Sequence, residues 1–470
     1  MSYQVPQHID KNKIFIVKRS EIEGRLDAQY YNSSVSIHNS IKLSSFAVVK
    51  GGKRIPKGYS YSNIHTPYYY LRVADVDSES DIKYDDLKCI ERELFEILER
   101  YEIKEGELAI SIAGTIGKVC ILHNIPLGHK VILTENCAKI VVKNEAKIQT
   151  EYLRVLFLTS FIQKQLQLNY IQTTIPKLGL DRILNLKFPA VPSEVFQSQV
   201  VQIIQTAVSE KQNKDLQAQQ LLDSIDTYLL DEFDISLPEV HNELKDRIFI
   251  LNRSELEGRL DPTVYKDGIK LISPKWDSVK LSKVAYIDLG GAYKGKTPDT
   301  PISFVPMEAV DETFSEITTM GETTIGQSSG FTKFSEGDLL WAKITPCMQN
   351  GKSAIARNLI NGLGCGSTEF FVMRPKDDRL AIEYLHVVLH MKCVRETAKL
   401  YFGGSAGQQR VPASYLENFD LPLPPKEKQM EIARHVYDLR QRAKTLQEEG
   451  KCVLDEAKQE VERMILEGAD

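Results

Sequence analysis

The sequence predicts an α/β (α+β) fold with two tandem domains of similar structure, joined and separated by two long antiparallel helices. Residues 14–27 recur as residues 248–261 with 11 identities in 14 positions, an offset of 248 − 14 = 234. Each copy has short strand patterns followed by helical spacing, and each ends in a proline-rich segment before a long helical stretch. An offset of half the chain indicates duplication of a whole domain with its linker, which predicts a pseudo-two-fold protein.

The duplication extends well beyond this segment. The matching positions are 70–76 with 304–310, Gly117 with Gly351 and Glu135 with Glu369 at the offset of 234, Glu151 with Glu383 at 232, and Pro176 with Pro412 at 236. Loop insertions between diverged copies explain these small changes of offset. Between the matching positions the two copies differ strongly. A shared frame with different loops indicates two related binding functions with different ligands.

The first copy predicts strands over residues 107–112, 130–133 and 138–142, because β-branched and apolar residues cluster there between turn residues such as Gly106 and Gly114. A helix is predicted over 151–168 from apolar residues at helical spacing. The second copy repeats this order. It predicts strands over 339–343, 353–356 and 369–373, followed by a helix over 381–400.

A long helix is predicted after each copy. The proline-rich segments 188–192 and 421–425 end the preceding elements, and Ser193 is a suitable N-cap for a helix that reaches about Leu230. The second helix runs from about Lys426 to Leu466, and its apolar residues follow a heptad pattern that predicts lengthwise packing on another helix. A helix of about 38 residues is roughly 57 Å long. That length corresponds to on the order of 15–17 base pairs of duplex DNA.

These elements divide the chain into five predicted segments. They are a first α/β domain at 11–190, a central helix at 191–233, a linker at 234–247, a second α/β domain at 248–424 and a C-terminal helix at 425–468.

Composition limits the classes of protein. The chain has 470 residues, is 42% hydrophobic and contains no apolar run long enough for a membrane span. The first residues lack the pattern of a signal peptide, and the seven cysteines are scattered without metal-ligand spacing. We therefore expect a cytoplasmic protein with reduced thiols and no structural metal. The net charge of −5 gives no general attraction to nucleic acid, so any such surface must be a local patch.

One basic segment is prominent in each copy. Residues 50–57 contain Lys53, Arg54 and Lys57 beside two glycines, which would let the backbone approach a phosphate. The counterpart in the second copy contains Lys294 and Lys296. A solvated flexible loop is an equally good interpretation of both segments.

A glycine-rich turn precedes a lysine in both copies. Gly114, Thr115 and Lys118 lie in the first copy and Lys352 in the second, but neither turn has the glycine and hydroxyl spacing that a nucleotide-binding P-loop requires. We therefore predict no nucleotide site here. The turns are predicted to follow strands, with Lys118 and Lys352 contacting phosphate and Thr115 as a further candidate DNA contact. A purely structural turn remains the alternative.

Side chains suited to reading bases follow a run of glycines in the second copy. Gln408, Gln409 and Arg410 carry the amide and guanidinium groups that pair with adenine and guanine edges. The corresponding candidates in the first copy are Thr173, Thr174 and Lys177. A surface loop is the alternative. Trp341 and Lys343 are predicted to lie on a strand, with Trp341 in the core and Lys343 as a candidate DNA contact.

No catalytic set is evident. Recurrence of the segment that ends at Asp27 and Asp261 favours a structural role, with each aspartate capping a short helix. The sequence has no [DNS]PP[YFW] tetrapeptide that would bind a target adenine and no nuclease PD…[DE]xK set. The histidines show no metal-ligand spacing.

The whole chain resembles the specificity subunit of type I restriction–modification systems. The resemblance rests on the duplicated α/β domains, the proline-rich exits followed by Gln197 or Gln429, the long helices, and the segments 106–118 and 337–343. The second copy departs from the first at residues 346–350, so its loop there need not be equivalent.

The resemblance implies that each α/β domain is a target-recognition domain that reads one half of a split, asymmetric DNA site. The helices would set the spacer and bind two modification (adenine methyltransferase) subunits, which restriction (translocase/endonuclease) subunits would join. This chain would be non-catalytic and without cofactor, since S-adenosylmethionine, ATP and Mg would belong to the partners. The alternatives are a specificity-like DNA-recognition subunit of another phage-defence assembly, or a stand-alone DNA methyltransferase or nuclease.

Overall fold

The structure of the protein is a computed structural model that describes residues 16–17, 19, 39–77, 82–169, 176–237, 250, 261–289, 293, 295–404 and 408–467. The chain forms two compact units. The first comprises Met1–Asn213 together with Glu449–Asp470, and the second comprises Lys214–Glu448. Asp27 and most of the repeated segment at 14–27 and 248–260 lie outside the described residues. None of the described helices is long and apolar enough to cross a membrane.

The strands of the first unit form two four-stranded sheets and one two-stranded sheet. They are β1 (Ile41–Lys42), β2 (Ala47–Gly51), β3 (Tyr68–Leu71), β4 (Lys88–Cys89), β5 (Glu102–Ile103), β6 (Leu108–Ser111), β7 (Val119–Ile121), β8 (Lys130–Leu133), β9 (Cys137–Val142) and β10 (Lys187–Phe188). The strand orders are β2-β9-β6-β7, β4-β3-β8-β5 and β1-β10, and β3 with β8 is a parallel pair. The three strands predicted in this copy are confirmed as β6, β8 and β9.

β6 lies in the interior of its sheet and is buried throughout. Successive side chains of a strand point to opposite faces, so its residues contribute to two cores. Leu108 and Ile110 belong to the core that includes the helices, whereas Ala109 packs in a second core with Cys120 and Cys137. Burial on both faces explains why this segment is apolar without alternation.

The second unit repeats the topology of the first. Its strands are β11 (Ser278–Lys280), β12 (Ala285–Ile287), β13 (Pro301–Val305), β14 (Gly321–Thr324), β15 (Thr332–Ser335), β16 (Leu339–Ala342), β17 (Ser353–Ile355), β18 (Leu363–Gly366), β19 (Phe370–Pro375) and β20 (Asp420–Pro422). The orders β12-β19-β16-β17, β14-β13-β18-β15 and β11-β20 match those of the first unit, and β13 with β18 is again parallel. The duplication predicted from the sequence is therefore a duplication of fold.

The helices complete both units. They are α1 (Leu43–Phe46), α2 (Arg92–Leu98), α3 (Thr150–Leu158), α4 (Ser160–Asn169), α5 (Leu180–Leu184), α6 (Glu194–Phe233), α7 (Pro262–Asp267), α8 (Leu281–Val284), α9 (Ile382–His390), α10 (Lys392–Leu400), α11 (Ala413–Glu417) and α12 (Lys426–Glu467). Short 3-10 helices occur at Val73–Asp75, Tyr84–Asp86, Glu99–Tyr101, Met307–Ala309, Ile325–Gln327 and Ile360–Gly362. The predicted cap at Asp261 is confirmed, because its carboxylate accepts the backbone N–H of Thr263 at 3.1 Å in α7.

The prediction of one continuous helix over 151–168 and one over 381–400 was wrong. Thr159 separates α3 from α4 with an extended ψ of 149°. Met391 separates α9 from α10 with a ψ of 138°. The periodicity of the sequence continues through both breaks, so the pattern alone cannot locate them.

A carboxylate from a long helix stabilises each break. In the first unit, Glu462 of α12 accepts the backbone N–H of Ser160 at 2.9 Å. In the second unit, Asp226 of α6 accepts the backbone N–H of Lys392 at 2.9 Å. These amides begin the second helix of each pair, where an acceptor from outside the helix is required.

The two long helices are confirmed, and each contributes to both units. Ser193 caps α6, since its hydroxyl accepts the backbone N–H of Phe196 at 3.3 Å. In the first unit, Val200 and Ile204 of α6 share a core with Val461 of α12. In the second unit, the buried residues of both helices again share one core, and they are Ile225, Leu229, Phe233, Ile432, Val436 and Leu439. The apolar positions of the heptad pattern predicted for α12 are therefore buried against α6.

Candidate nucleic-acid interface

Three loops of the first unit meet beside β6. They are the β6–β7 loop at residues 112–118, the β8–β9 turn at 134–136 and the segment 176–178. The backbone N–H of Ile112 donates to the carbonyl of Asn136 at 2.8 Å, and the N–H of Leu178 donates to the carbonyl of Ile112 at 2.9 Å. Residues that are distant in sequence therefore form one loop cluster.

The basic segment after β2 lies against the same turn. Gly52 donates its N–H to the carbonyl of Cys137 at 2.9 Å, and Lys53 donates its N–H to the carbonyl of Leu133 at 2.9 Å. A Cβ at Gly52 would lie 2.1 Å from the carbonyl oxygen of Thr134. We predicted that the glycines here let the backbone approach a phosphate, but Gly52 is instead required for packing against the chain's own backbone.

Arg54 is held at this cluster by a glutamate. Its Nε donates to Oε1 of Glu135 at 2.6 Å, and 78% of the Arg54 side chain remains exposed. The hydrogen bond that Arg54 donates to Glu135 raises the pKa of the Arg54 guanidinium above its ordinary value. Partial burial acts to raise the pKa of the Glu135 carboxyl, but hydrogen bonds from Arg54 and Thr134 lower it overall.

The remaining predicted contacts of this cluster lie on its solvent side. Thr115, Lys118, Lys57 and Lys177 are exposed, and Lys177 pairs with Ala113 in an isolated β-bridge. Gly117 has a φ of +88°, which favours glycine at the turn before Lys118. Thr173 and Thr174 lie outside the described residues.

The second unit builds the same cluster from different residues. The backbone N–H of Lys343 donates to the carbonyl of Glu369 at 2.9 Å, and the N–H of Val411 donates to the carbonyl of Lys343 at 2.9 Å. Ile344 and Arg410 form an isolated β-bridge, as Ala113 and Lys177 do in the first unit. Lys177 and Arg410, predicted separately from the sequence, therefore occupy the same position of the repeated fold.

The hydrogen-bonding pattern corrects two alignments made from the sequence. Glu369 is the counterpart of Asn136 and not of Glu135. Asn136 directly precedes the strand residue that pairs with the end of β6, and Glu369 directly precedes the strand residue that pairs with the end of β16. Pro412 caps α11 as Gly179 caps α5, so its counterpart is not Pro176. Both errors arise at loops, where an insertion shifts the offset without changing the strands.

Arg410 is oriented by two hydrogen bonds that it donates to Glu369. Its Nε donates to Oε2 at 2.8 Å and its Nη2 to Oε1 at 2.7 Å, while Nη1 donates to the carbonyl of Gln408 at 3.0 Å. The hydrogen bonds lower the pKa of Glu369 and raise that of Arg410. Each unit thus orients one arginine through one glutamate, although Arg54 and Arg410 come from different loops. Sequence reasoning missed these pairings, because 81 and 41 residues separate the partners.

The other lysines of the second unit are less uniform. Lys352 donates its ammonium to the carbonyls of Met307 at 3.3 Å and Val310 at 2.9 Å, so its charge is directed to the protein's own backbone. This geometry does not support its prediction as a phosphate contact. Lys343 follows β16 and places its ammonium 5.0 Å from the ring centroid of Phe371. Lys296 is exposed, and Lys294 lies outside the described residues.

Two further predictions concern the cores and metal sites. Trp341 is confirmed as a core residue on β16, with 1% of its surface exposed and its ring stacked on Phe371. Across the described parts of the chain, no three His, Cys, Asp or Glu side chains converge as a metal site would require. The seven cysteines are all free.

The fold and its two loop clusters define a protein with two copies of one α/β domain that share a frame and carry different loop residues. The type I restriction modification DNA specificity domain matches residues 38–221 and 274–451. The chain therefore belongs to this family of specificity domains.

Known relatives agree with this assignment. The specificity subunit of the type I restriction enzyme EcoEI of Escherichia coli is 33% identical over 195 residues, 40% of this chain and 32% of that protein. The EcoAI specificity subunit of Escherichia coli is 31% identical over 195 residues with the same coverage. The matched region thus spans about a third of these relatives.

A solved chain from a study of assembly and conformational transition of the type I R-M system has a TM-score of 0.50 and 17% identity. The match covers 93% of this chain and 98% of that one. At this identity, the similarity supports the fold.

Proposed function

We propose that this chain is the specificity subunit of a type I restriction–modification complex, in which each α/β unit reads one half of a split DNA site. The observation that carries the proposal is the equivalence of Lys177 and Arg410. The same backbone position of the repeated fold presents a cation in each unit, within a loop cluster whose other side chains differ. Equivalent frames with different loops suit two half-sites of different sequence.

The proposed contacts divide into two kinds. Exposed cations such as Lys53, Lys57 and Lys118 would bind phosphates and fix the register on the duplex. Arg410 would read a base. Its three hydrogen bonds within the protein leave one N–H on each of Nη1 and Nη2. Two such donors match the O6 and N7 acceptors of guanine, and Gln408 or Gln409 would read a neighbouring base.

The two long helices would set the length of the unread spacer. α6 has 40 residues and α12 has 42, so each is about 60 Å long. The complex would contain two methyltransferase subunits bound to this chain, with restriction subunits completing it in the cytoplasm. Methyl transfer, cleavage and the S-adenosylmethionine, ATP and Mg that they need would belong to those partners, and this chain would recognise DNA without catalysing a reaction.

Exchange of one unit tests the proposal. Residues 11–190 are replaced by the corresponding segment of another family member, and adenine methylation is mapped across the host genome by long-read sequencing. One half of a gapped motif is expected to change while the other half and the gap stay constant. A change in both halves would refute the modular assignment. Methylation or cleavage of DNA by the purified chain alone would instead support the enzymatic alternative.

A further inference from the structure

A cavity of about 630 Å³ lies in the second unit, away from the loop cluster. Its walls come from α9, from the first half of α12 and from the segments 314–320 and 355–358. Three of its apolar residues, Met320, Met430 and Tyr437, are exposed to solvent by 42%, 37% and 60%. A concave site of this volume, lined by apolar side chains together with charged and polar groups, has the dimensions of a small-molecule site.

A buried cation lines this cavity. Arg440 of α12 is only 6% exposed, and its Nε is buried without a hydrogen-bond partner among the described residues. Burial lowers the pKa of the Arg440 guanidinium to about 10, an effect that nearby Asp226 opposes and nearby Arg395 increases. A guanidinium remains charged at neutral pH even so. Unpaired buried charge is costly, and native proteins normally retain it only with a partner.

The charges around Arg440 leave a positive excess, because Arg434 also lines the cavity and both carboxylates of the lining are paired, Glu316 with Lys444 and Glu383 with Arg357. Asp226 is the nearby carboxylate, but it already accepts the backbone N–H of Lys392 at 2.9 Å. Arg395 adds a partly buried guanidinium, and His386, which also lines the cavity, is kept neutral because burial lowers its pKa to about 3. The hydroxyl of Ser315 is a second buried polar group of the cavity without a partner in the described structure. An anion bound in the cavity would balance the excess positive charge.

The first unit has a cavity at the equivalent place but not the unpaired charge. Its lining includes Val208, which corresponds to Arg440 at the offset of 232 that relates Gln197 to Gln429. The arginine of that cavity is Arg154, whose Nε donates to Glu151 at 3.2 Å. The repeat therefore supplies an internal comparison, because the arginine in the equivalent cavity of the first unit has a carboxylate partner.

We propose that the cavity of the second unit is a binding site for a small organic anion that carries a phosphate or carboxylate group on an apolar or aromatic body. Arg440 binds the anionic group, Ser315 donates a hydrogen bond to it, and the apolar body lies against Met320, Met430 and Tyr437. This ligand binding is a function separate from DNA recognition, and the proposal places the ligand in the second unit alone.

Titration calorimetry on the full-length chain tests the site with phenyl phosphate and benzoate as probes, at constant ionic strength set with sodium chloride. One probe at least is expected to bind with one equivalent per chain and a dissociation constant below about 1 mM. Inorganic phosphate, which lacks the apolar body, is expected to bind at least several-fold more weakly than phenyl phosphate. The preferred probe distinguishes a phosphate ligand from a carboxylate ligand.

Two variants connect the binding to the cavity. Arg440→Val installs the residue found at the equivalent position of the first unit and is expected to abolish binding. Met430→Glu changes an exposed residue at the rim and is expected to weaken binding at least tenfold by repelling the anion, without a change in melting temperature. Arg463→Val removes a cation from the exposed surface of α12 in the first unit and serves as the matched control. Absence of binding to both organic probes, or undiminished binding by Arg440→Val and Met430→Glu, would overturn the proposal.

Discussion

Gln197 and Gln429 make the same hydrogen bonds in their respective units. The Oε1 of Gln197 accepts the backbone N–H of Gln149 at 2.8 Å, and that of Gln429 accepts the N–H of Ala381 at 2.8 Å. Each Nε2 donates to two backbone carbonyls, one of which belongs to the proline-rich exit. Both side chains are completely buried. One carboxamide therefore fastens the start of a long helix to the α/β frame in each unit.

Gln197→Leu is expected to lower the free energy of unfolding by about 2 kcal/mol, because one partly buried N–H and two carbonyls lose their partner. Gln199→Leu, at an exposed position of the same helix, is the control and should change it by less than about 0.5 kcal/mol. Denaturant unfolding of the full chain measures both. Equal stability of the two variants would contradict the fastening role.

Gly52→Ala is expected to destabilise the first unit by about 2–3 kcal/mol, because its Cβ would lie 2.1 Å from the carbonyl oxygen of Thr134. The variant should also weaken DNA binding, since the basic segment must move away from the β8–β9 turn. Gly403→Ala is the matched control, because no neighbouring atom lies within 4 Å of its added Cβ. Calorimetric unfolding and DNA-binding titration measure the two effects, and a Gly52→Ala protein as stable as the control would disprove the packing argument.

His386 predicts a loss of stability in mild acid. Burial lowers its pKa to about 3 in the folded chain, whereas an unfolded histidine titrates near 6.5. Below about pH 6.5 the unfolded state therefore binds a proton that the folded state does not, and stability falls as the pH decreases towards 3. At pH 5 this difference amounts to about 2 kcal/mol.

The pH effect is measured as the difference in the free energy of unfolding between the wild-type chain and His386→Gln. The contributions of the other titrating groups cancel in this difference. Both tryptophans, Trp276 and Trp341, lie in the second unit, and their fluorescence reports its unfolding. The free energy of unfolding of the wild type should fall relative to that of the variant between pH 7 and pH 5. A difference that stays constant over this range would show that His386 is protonated equally in both states.

Arg410→Ala is expected to reduce DNA affinity on the order of tenfold and to relax the base preference at one position of one half-site. Lys177→Ala should act on the other half-site. Removal of a phosphate contact, as in Lys57→Ala, should instead weaken binding to all sequences alike and reduce its dependence on salt. Titrations of the assembled complex with DNA variants measure these effects. Loss of preference in both half-sites from Arg410→Ala would refute the division between the units.

The sequence by itself determined the architecture. The repeat near Ile14 and Ile248 and the proline-rich exits predicted two similar α/β units and two long helices, because periodicity, prolines and duplication are local properties that survive divergence. It also located Lys177 and Arg410 as candidate contacts. Only the tertiary structure placed these two at one position of the fold, because alignment through loops of different length loses the register that strand pairing preserves.

Other features depended on partners far apart in the chain. The breaks at Thr159 and Met391 follow a periodic sequence without interruption, and carboxylates from the long helices stabilise them. The inward orientation of Lys352 and the burial of Arg440 are likewise fixed by groups from other elements. Helical and strand periodicity records which face of an element is buried, whereas the partner of a polar side chain is set by packing between elements, which no local pattern contains.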